Sequence, residues 1–341
     1  MNVGLILCGG KGKRLQPLTN RRPKSLLELK KGYTILDKQL LDLKYADVKH
    51  VILLTGYLHD RIEARYGSSW NGLEVAYSRE EKPLGTWGAI AQALKTHQPK
   101  ATLVVMNGDI ITDVNLKEML IENREYAPHP VTMFTTYLRS PYGIVDVSGK
   151  MVYQFREKPT LPYMINAGVY VVREGFDFLG FVGALETPSD IERDVFPKLA
   201  RAGLIGNYIE PDPEVLWKSV DSMKDLEEVV AEFANREDKP WGFEKTITRR
   251  GKYIFKKLFI KRGYRTSLHS HSEEETLHLS KGTLNVADLH GNMKQLKVNE
   301  TVTIEAKEVH SLVAVDTCFI EEVSSRRLDD IQRMKDYYGR M

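Results

Sequence analysis

The sequence predicts an α/β domain built on a mostly parallel sheet, followed by a second, smaller all-β domain. Up to about residue 235, short β-branched or apolar runs alternate with stretches of helical period, as in parallel sheets covered by helices. After Asn235, short alternating strands and turns such as Arg250-Gly251 take over. The length of 341 residues accommodates two domains. We place their boundary near residue 238, which gives domains 1–237 and 238–341.

The individual elements follow from the same periodicities. Strands are predicted at 3–8, 50–55, 73–78, 102–106, 131–137, 144–147 and 168–172. Helices are predicted at 35–44, 86–96, 116–125, 189–202 and 224–235, and a terminal helix at 328–338. The sequence contains no internal repeat, which argues against a β-helix tail.

Composition excludes several classes of protein. A net charge of +3, from 49 basic and 46 acidic residues, is too small for a general nucleic-acid binder. Only Cys8 and Cys318 are present, which is too few for a disulfide framework and fits a reducing compartment. The N-terminal apolar run is shorter than a signal sequence or a membrane span. We therefore expect a cytoplasmic protein without nucleic-acid or membrane partners.

A glycine-rich segment follows the first strand: Gly9-Gly10-Lys11-Gly12-Lys13-Arg14-Leu15. Glycines at three of four positions let the backbone approach an anion closely, and Arg14 and Lys24 add full positive charges. The spacing matches neither the dinucleotide motif nor the P-loop, so a dehydrogenase or an ordinary NTPase is not favoured. Taken alone, the glycines could equally form a turn beside surface cations.

With Pro17-Leu18-Thr19 and Pro23-Lys24, this segment resembles the opening of the sugar-1-phosphate nucleotidylyltransferases. The resemblance continues to about residue 235 through seven further blocks. They contain Pro83-Leu84-Gly85-Thr86, Asn107-Gly108-Asp109, Tyr142-Gly143, Glu157-Lys158-Pro159, Asn166-Ala167-Gly168, Ser189-Asp190 and Trp217-Lys218-Ser219-Val220-Asp221. It implies a Rossmann-like nucleotidyltransferase fold that uses Mg²⁺ to join a nucleoside triphosphate to a sugar 1-phosphate, releasing pyrophosphate.

The resemblance also implies roles for individual residues. The catalytic set is Arg14, Lys24, Asp109, Lys158 and Asp221, of which Asp109 and Asp221 bind Mg²⁺. The nucleotide-binding set is Leu7, Gly9, Gly10, Gly12, Lys13, Arg14, Lys24, Glu80, Pro83, Gly85, Thr86 and Asp109. The sugar-phosphate set is Gly143, Glu157, Lys158 and Asn166. Each aspartate could instead cap a helix or a turn, and Ser222 stands where many relatives have glycine after the second metal ligand.

The segments around Gly85 and Asn166 look most like guanylyltransferases that act on mannose or heptose 1-phosphates, which favours GTP. Thymidylyl- and uridylyltransferases share most of this framework, so other pairs of base and sugar stay open. A further alternative is a nucleotide-sugar sensor without activity. The retained Asp109 and Asp221 argue against a sensor, because a sensor can lose its metal carboxylates.

The second domain carries His269-x-His271-x3-Glu275, with His310 further on. Together with Gly263 and Gly282, this spacing resembles the first cupin motif, and the alternation of a strand puts both histidines of His-x-His on one face. The resemblance implies a cupin barrel in which three imidazoles and a carboxylate bind Zn, Mn, Fe or Ni. Flanking segments resemble type II phosphomannose isomerases, which leaves a bifunctional enzyme with isomerase activity as an alternative, but the run 274–277 departs from the isomerase pattern. We expect a homo-oligomer, most simply a dimer.

Overall fold

The computed structural model describes residues 1–210, 212–325 and 331–339. The chain divides into two compact units, Met1–Leu226 and Glu227–Met341. The division falls inside a helix, Met223–Phe233. Within the described ranges, no helix is long and apolar enough to cross a membrane.

The first unit alternates strands and helices along the chain. Its strands are β1 (Asn2–Leu7), β2 (Glu28–Lys30), β3 (Tyr33–Thr34), β4 (His50–Thr55), β5 (Ser69–Trp70), β6 (Leu73–Arg79), β7 (Thr102–Asn107), β8 (Ile110–Thr112), β9 (Val131–Arg139), β10 (Ile144–Ser148), β11 (Met151–Arg156), β12 (Thr160–Val172), β13 (Ile205–Ile209) and β14 (Trp217–Ser219). Its helices are α1 (Ile35–Tyr45), α2 (His59–Tyr66), α3 (Gly85–His97), α4 (Leu116–Ile121), α5 (Phe178–Val182), α6 (Phe196–Arg201) and the shared α7 (Met223–Phe233). Three 3-10 turns follow β1, at Lys13–Leu15, Leu18–Asn20 and Lys24–Leu26.

An eight-stranded sheet forms the centre of this unit, in the order β13-β9-β12-β7-β1-β4-β6-β5. Strands β4 and β7 pair with β1 in parallel, and only β12 and β5 run against the other six. The sheet is therefore mostly parallel and Rossmann-like, as the sequence predicts. Because the carboxyl ends of β1 and β7 meet at one edge, the loops that follow them lie side by side.

Helices cover both faces of this sheet. Alternate residues of β1 face opposite sides: Ile6 joins a core with α1, α2 and α4, whereas Leu5 joins a core with α3, α5 and α6. Helix α1 begins with a capping box, in which the Thr34 hydroxyl accepts the Asp37 N–H and the Asp37 carboxylate accepts the Thr34 N–H. Two predicted helices include π-helical turns, at Glu122–Tyr126 and Ile191–Val195.

The second unit is built from antiparallel strands. They are β15 (Arg236–Lys239), β16 (Gly242–Arg250), β17 (Tyr253–Ile260), β18 (Leu268–Ser270), β19 (Glu275–Lys281), β20 (Leu284–Asp288), β21 (Met293–Leu296), β22 (Thr301–Ile304), β23 (His310–Ala314), β24 (Cys318–Ser325) and β25 (Gln332–Lys335). They form a six-stranded sheet, β15-β16-β17-β24-β19-β22, and a five-stranded sheet, β21-β20-β23-β18-β25. Leu258 and Leu277 of the first sheet pack with Leu284 and Leu312 of the second in one core.

The terminal helix predicted at 328–338 is wrong over the part that the structure describes. Gln332–Lys335 is strand β25, and it pairs antiparallel with β18. The edge of the five-stranded sheet offers backbone hydrogen bonds that override the local helical pattern. Residues 328–330 lie outside the described residues.

Candidate active site

The glycine loop after β1 depends on backbone geometry that a side chain would disturb. Gly12 has a φ of +57°, and a Cβ there would lie 3.0 Å from Thr19 Cγ2 and 3.2 Å from Lys24 Cβ. The Gly12 carbonyl accepts hydrogen bonds from the Leu15 N–H and the Thr19 hydroxyl, both at 2.9 Å. Glycine thus lets the loop close against the turn that carries Lys24.

Gly9 and Gly10 play different parts in this loop. A Cβ on Gly9 would lie 2.6 Å from Glu80 Oε1, whereas Gly10 faces open space. The other Glu80 oxygen accepts the Leu84 N–H at 3.0 Å. Glu80 therefore joins the glycine loop to the segment before α3. The predicted Lys13 is exposed and begins the turn that leads to Arg14.

Asp109 stands beside the glycine loop because β7 ends next to β1. The Gly108 N–H donates to the Leu7 carbonyl at 3.1 Å, and a Cβ on Gly108 would lie 2.2 Å from that oxygen. The Asp109 carbonyl in turn accepts the Val220 N–H at 2.9 Å. This contact brings Asp221 to the same place, although 112 positions separate the two aspartates in the chain.

Lys24 lies between the two aspartates. Its ammonium donates to Asp109 Oδ2 at 2.7 Å and to Asp221 Oδ1 at 3.0 Å. These two oxygens are therefore within about 6 Å of each other. The Arg14 guanidinium donates to the same Asp221 oxygen at 2.7 Å, and the Ser219 hydroxyl donates to Asp221 Oδ2 at 2.9 Å. Four of the five predicted catalytic residues thus form one cluster.

The charge of Asp221 is set by this cluster. Burial by itself raises the pKa of the carboxyl, but the hydrogen bond and charge of Lys24, the Ser219 hydroxyl and the charge of Arg14 outweigh it and lower the pKa. Asp221 is therefore ionised at neutral pH. Two carboxylate oxygens that converge on one cationic position are the hard donors that Mg²⁺ prefers, so the donor set fits this ion.

The segment that carries Gly85 and Thr86 is fixed to a distant part of the chain. Gly85 has a φ of +79°, and a Cβ there would lie 2.2 Å from the Ser189 carbonyl oxygen. That oxygen accepts the Trp87 N–H at 3.0 Å. The Thr86 hydroxyl donates to Glu192 at 2.8 Å, so its side chain is held by the protein. The predicted Pro83 stands just ahead of this segment and is exposed.

The sugar-side residues form a second group. A Cβ on Gly143 would lie 3.0 Å from Glu157 Oε2, and Lys158 Nζ lies 3.7 Å from Glu157 Oε1. Both charged side chains are more than half exposed, at 62% for Glu157 and 54% for Lys158. The Asn166 amide instead turns inward, because it donates to the Tyr170 hydroxyl at 2.8 Å and its oxygen accepts the Gly168 N–H at 2.9 Å.

Comparison with known proteins identifies the family of this chain. Residues 3–236 match the nucleotidyl transferase family. The chain belongs to the nucleotidyl transferase family. The mannose-1-phosphate guanylyltransferase catalytic subunit beta of Danio rerio is 32% identical over 232 residues, which are 65% of this chain and 62% of that protein. The mannose-1-phosphate guanylyltransferase of Mycobacterium tuberculosis is 33% identical over 231 residues, which are again 65% of this chain and 62% of that protein. The matched region thus spans about 62% of the length of these relatives.

A further relative of this chain is the D-glycero-alpha-D-manno-heptose 1-phosphate guanylyltransferase of Aneurinibacillus thermoaerophilus. It is 32% identical over 183 residues, covering 50% of this chain and 74% of that protein. Among solved structures, HddC from Yersinia pseudotuberculosis aligns with a TM-score of 0.52 and 22% identity, covering 68% of this chain and all of HddC. At that identity the structural match establishes the fold alone.

Three residues of the nucleotidyl transferase unit acquire importance only in the structure. Ser219 holds Asp221, while Ser189 and Glu192 hold the segment at Gly85. Ser219 lies two residues before Asp221. In extended chain, side chains two residues apart point to the same side, so this spacing could have indicated the contact. No local sequence signal pairs Ser189 or Glu192 with residues about 100 positions earlier.

The family match ends at residue 236, and a histidine cluster lies beyond it. Ligand nitrogens of His269, His271 and His310 come within 4.8 Å of one another. His269 Nδ1 lies 2.7 Å from the Ser267 carbonyl and His310 Nδ1 lies 3.2 Å from the Glu308 carbonyl, which leaves each Nε2 facing the cluster. Glu275 Oε1 lies 2.8 Å from His310 Nε2. The structure thus brings all four predicted ligands together.

Burial and the Glu275 carboxylate set the protonation of this cluster. Burial, with the neighbouring His310 and His271, lowers the pKa of His269 to about 4, so its imidazole is neutral at pH 7. Burial by itself lowers the pKa of His310, but the Glu275 carboxylate, 2.8 Å from its Nε2, outweighs burial and raises the pKa. A neutral imidazole at His269, together with two further imidazoles and the Glu275 carboxylate close by, is a donor set that fits a divalent transition metal.

Proposed function

We propose that this protein is a sugar-1-phosphate nucleotidylyltransferase that joins GTP and mannose 1-phosphate, forming GDP-mannose and pyrophosphate. The observation that carries the proposal is the convergence of Arg14, Lys24, Asp109 and Asp221 beside the glycine loop. The named activities of the guanylyltransferase relatives support the choice of substrates. A heptose 1-phosphate with GTP, or a glucose 1-phosphate with dTTP or UTP, is the alternative pair.

The reaction joins two polyanions, so charge neutralisation and positioning supply most of the catalysis. A phosphate oxygen of the sugar phosphate attacks the α-phosphorus of the triphosphate, a P–O bond forms, and pyrophosphate leaves with the electron pair of the broken bond. Arg14 lies at the open side of the cluster, 74% exposed, and would hold the departing pyrophosphate. Lys24, only 15% exposed, would hold the triphosphate near Asp109. Neither cation needs to transfer a proton.

Asp109 and Asp221 would hold Mg²⁺, which when bound neutralises charge on the phosphate oxygens. The side chain of Asp109 is 29% exposed and that of Asp221 is 32% exposed, so both are reachable from solvent. Glycines 9, 10 and 12 would bring backbone N–H groups to the triphosphate, with Leu7, Glu80 and Gly85 on the base side. Lys158 would bind the sugar phosphate, with Gly143, Glu157 and the Asn166 segment around the sugar.

A substrate panel tests this proposal directly. Pyrophosphate release is measured for GTP, ATP, UTP, CTP and dTTP, each with mannose, glucose and heptose 1-phosphates. We expect kcat/KM to be highest for GTP with mannose 1-phosphate, by about tenfold or more over other bases, since a site that bonds the base edge rejects bases that leave its polar groups unpaired. Release with none of the pairs would overturn the transferase proposal.

For the second unit we propose a cupin barrel that spans 238–341, separate from a transferase domain of 1–237. The pair of antiparallel sheets around one core and the histidine cluster support this assignment. His269, His271, Glu275 and His310 would hold one divalent transition metal, such as Zn, Mn, Fe or Ni. The two carbonyls that bind Nδ1 of His269 and His310 would fix the orientation of those rings.

Replacing His310 tests the metal site. We expect His310→Ala to weaken Zn²⁺ binding by about a hundredfold or more. Even the groups that only hydrogen-bond to a metal ligand contribute about 10- to 100-fold to metal affinity, and His310 is proposed as a direct ligand. The measurement is a competition titration of the metal-free protein against a chromogenic chelator. His290→Ala, at an exposed turn, is the matched control and should bind as the parent protein does. His310→Gln serves if the alanine variant misfolds, and unchanged affinity in a folded variant would contradict the site.

A further inference from the structure

A cavity of about 220 Å³ in the nucleotidyl transferase unit is lined by eight residues, four of which are arginines. Arg21 and Arg22 come from the loop before the Lys24 turn, and Arg61 and Arg65 come from helix α2. Glu28 is the single acidic residue of the lining. With the Asp37 carboxylate that pairs with Arg65, four guanidinium groups stand against two carboxylates, so the cavity carries a local excess of positive charge, although the net charge of the whole chain is only +3.

The four arginines differ in what holds them. Arg65 donates to the Gly32 carbonyl at 2.9 Å and to the buried Asp37 carboxylate at 2.5 Å, so it is fixed by the start of α1. Arg22 lies 3.5 Å from Glu28, and both side chains are about half exposed. In the parts of the chain that the structure describes, the guanidinium groups of Arg21 and Arg61 make no hydrogen bond or ion pair. The cavity therefore holds guanidinium groups that an anion can engage.

We propose that this cavity binds a small anion that carries a phosphate group. Guanidinium groups present paired N–H donors that match phosphate oxygens, and a dianion is the charge that several converging arginines stabilise best. The volume of about 220 Å³ lies below the roughly 300–1,000 Å³ of pockets for drug-sized ligands, so it suits a phosphate or a phosphate group on a small sugar. Binding of the anion would replace the contact between Glu28 and Arg22.

The cavity is distinct from the proposed catalytic site but shares one turn with it. Pro23 and Leu26, which also line it, flank Lys24, whose ammonium lies between Asp109 and Asp221. None of the residues proposed to bind nucleotide or sugar lines the cavity. An anion held by Arg21 and Arg22 therefore lies against the same 3-10 turn that positions Lys24.

Direct binding measurements test the site without reference to turnover. The affinities of the intact protein for inorganic phosphate and for mannose 6-phosphate are measured by calorimetry at fixed ionic strength. We expect Arg61→Ala to weaken binding about tenfold, the value of one charged hydrogen bond. Glu28→Gln should tighten binding about two- to fivefold, since an exposed ion pair that competes with the ligand is lost. Arg201→Ala, an exposed arginine on α6, is the matched control and should change nothing.

The same measurement on two further variants separates this cavity from the catalytic site. Arg21→Ala should weaken binding as Arg61→Ala does, and thermal unfolding confirms that each variant is folded. Arg14→Ala should leave phosphate binding in the cavity intact. If Arg14→Ala removes the binding while Arg21→Ala and Arg61→Ala retain it, the anion binds at the catalytic cluster and the proposal is overturned. Binding of only one of the two probes identifies free phosphate or a phosphorylated sugar as the ligand.

Discussion

Replacing Asp109 with asparagine should lower kcat by at least about a hundredfold with Mg²⁺ at saturating substrates, the cost of losing one preorganised electrostatic group. The amide is a poor ligand for a hard cation, and it removes the carboxylate that holds Lys24 at 2.7 Å. The concentration of Mg²⁺ needed for half-maximal rate should rise as well. Steady-state pyrophosphate release as a function of Mg²⁺ concentration measures both effects.

A matched variant controls for general effects of the Asp109 substitution. Asp47→Asn changes an exposed aspartate that pairs with Lys117 at 2.8 Å, and it should retain the rate of the parent protein. Thermal unfolding of Asp109→Asn should stay close to that of the parent, because the side chain is exchanged for one of the same shape. Full activity in the folded asparagine variant would mean that Asp109 has no part in catalysis.

Replacing Lys24 with methionine should have a comparably large effect, for a different reason. The variant keeps the aliphatic stem and loses the charge that neutralises both the aspartates and, as proposed, the incoming triphosphate. We expect KM for the triphosphate to rise and kcat to fall by about a hundredfold or more. The pKa of Asp221 should rise, since Lys24 is the main group that lowers it.

Two further variants make the Lys24 result specific. Lys24→Arg restores the charge but not the compact ammonium, so it should recover only part of the activity. Lys95→Met, on the exposed side of α3, should behave as the parent does. If Lys24→Met binds and turns over the triphosphate normally, then Lys24 serves only to occupy the space between the two carboxylates.

Much of the first unit could be predicted from the sequence because its pattern is strong. The buried run that forms β1, with the following Gly9 to Gly12, predicts both the strand and the loop that ends it. The position of Asp109 at a strand end could also be predicted, because Asp109 closely follows the apolar run of β7. Helix α2 was missed, since its eight residues carry only Ile62 and Tyr66 as buried positions.

Other features depend on contacts that no local pattern encodes. Residues 332–335 look helical, but they pair with β18, and Glu192 holds Thr86 across more than 100 positions. The inward hydrogen bonds of Asn166 likewise depend on Tyr170, whose hydroxyl lies within the folded sheet. The arginine cavity combines two stretches about 40 residues apart, neither of which is unusual by itself. Burial and contacts between distant parts of the chain decide these features, and both arise only when the chain is folded.

The most direct measurement of the central proposal is the stoichiometry of products formed by the parent protein from GTP labelled on the α- and γ-phosphates. If the cluster of Lys24, Asp109 and Asp221 directs attack at the α-phosphorus, one pyrophosphate should appear for each GDP-mannose, and only when mannose 1-phosphate is present. Release of inorganic phosphate with GDP, or of pyrophosphate without the sugar phosphate, would contradict this account.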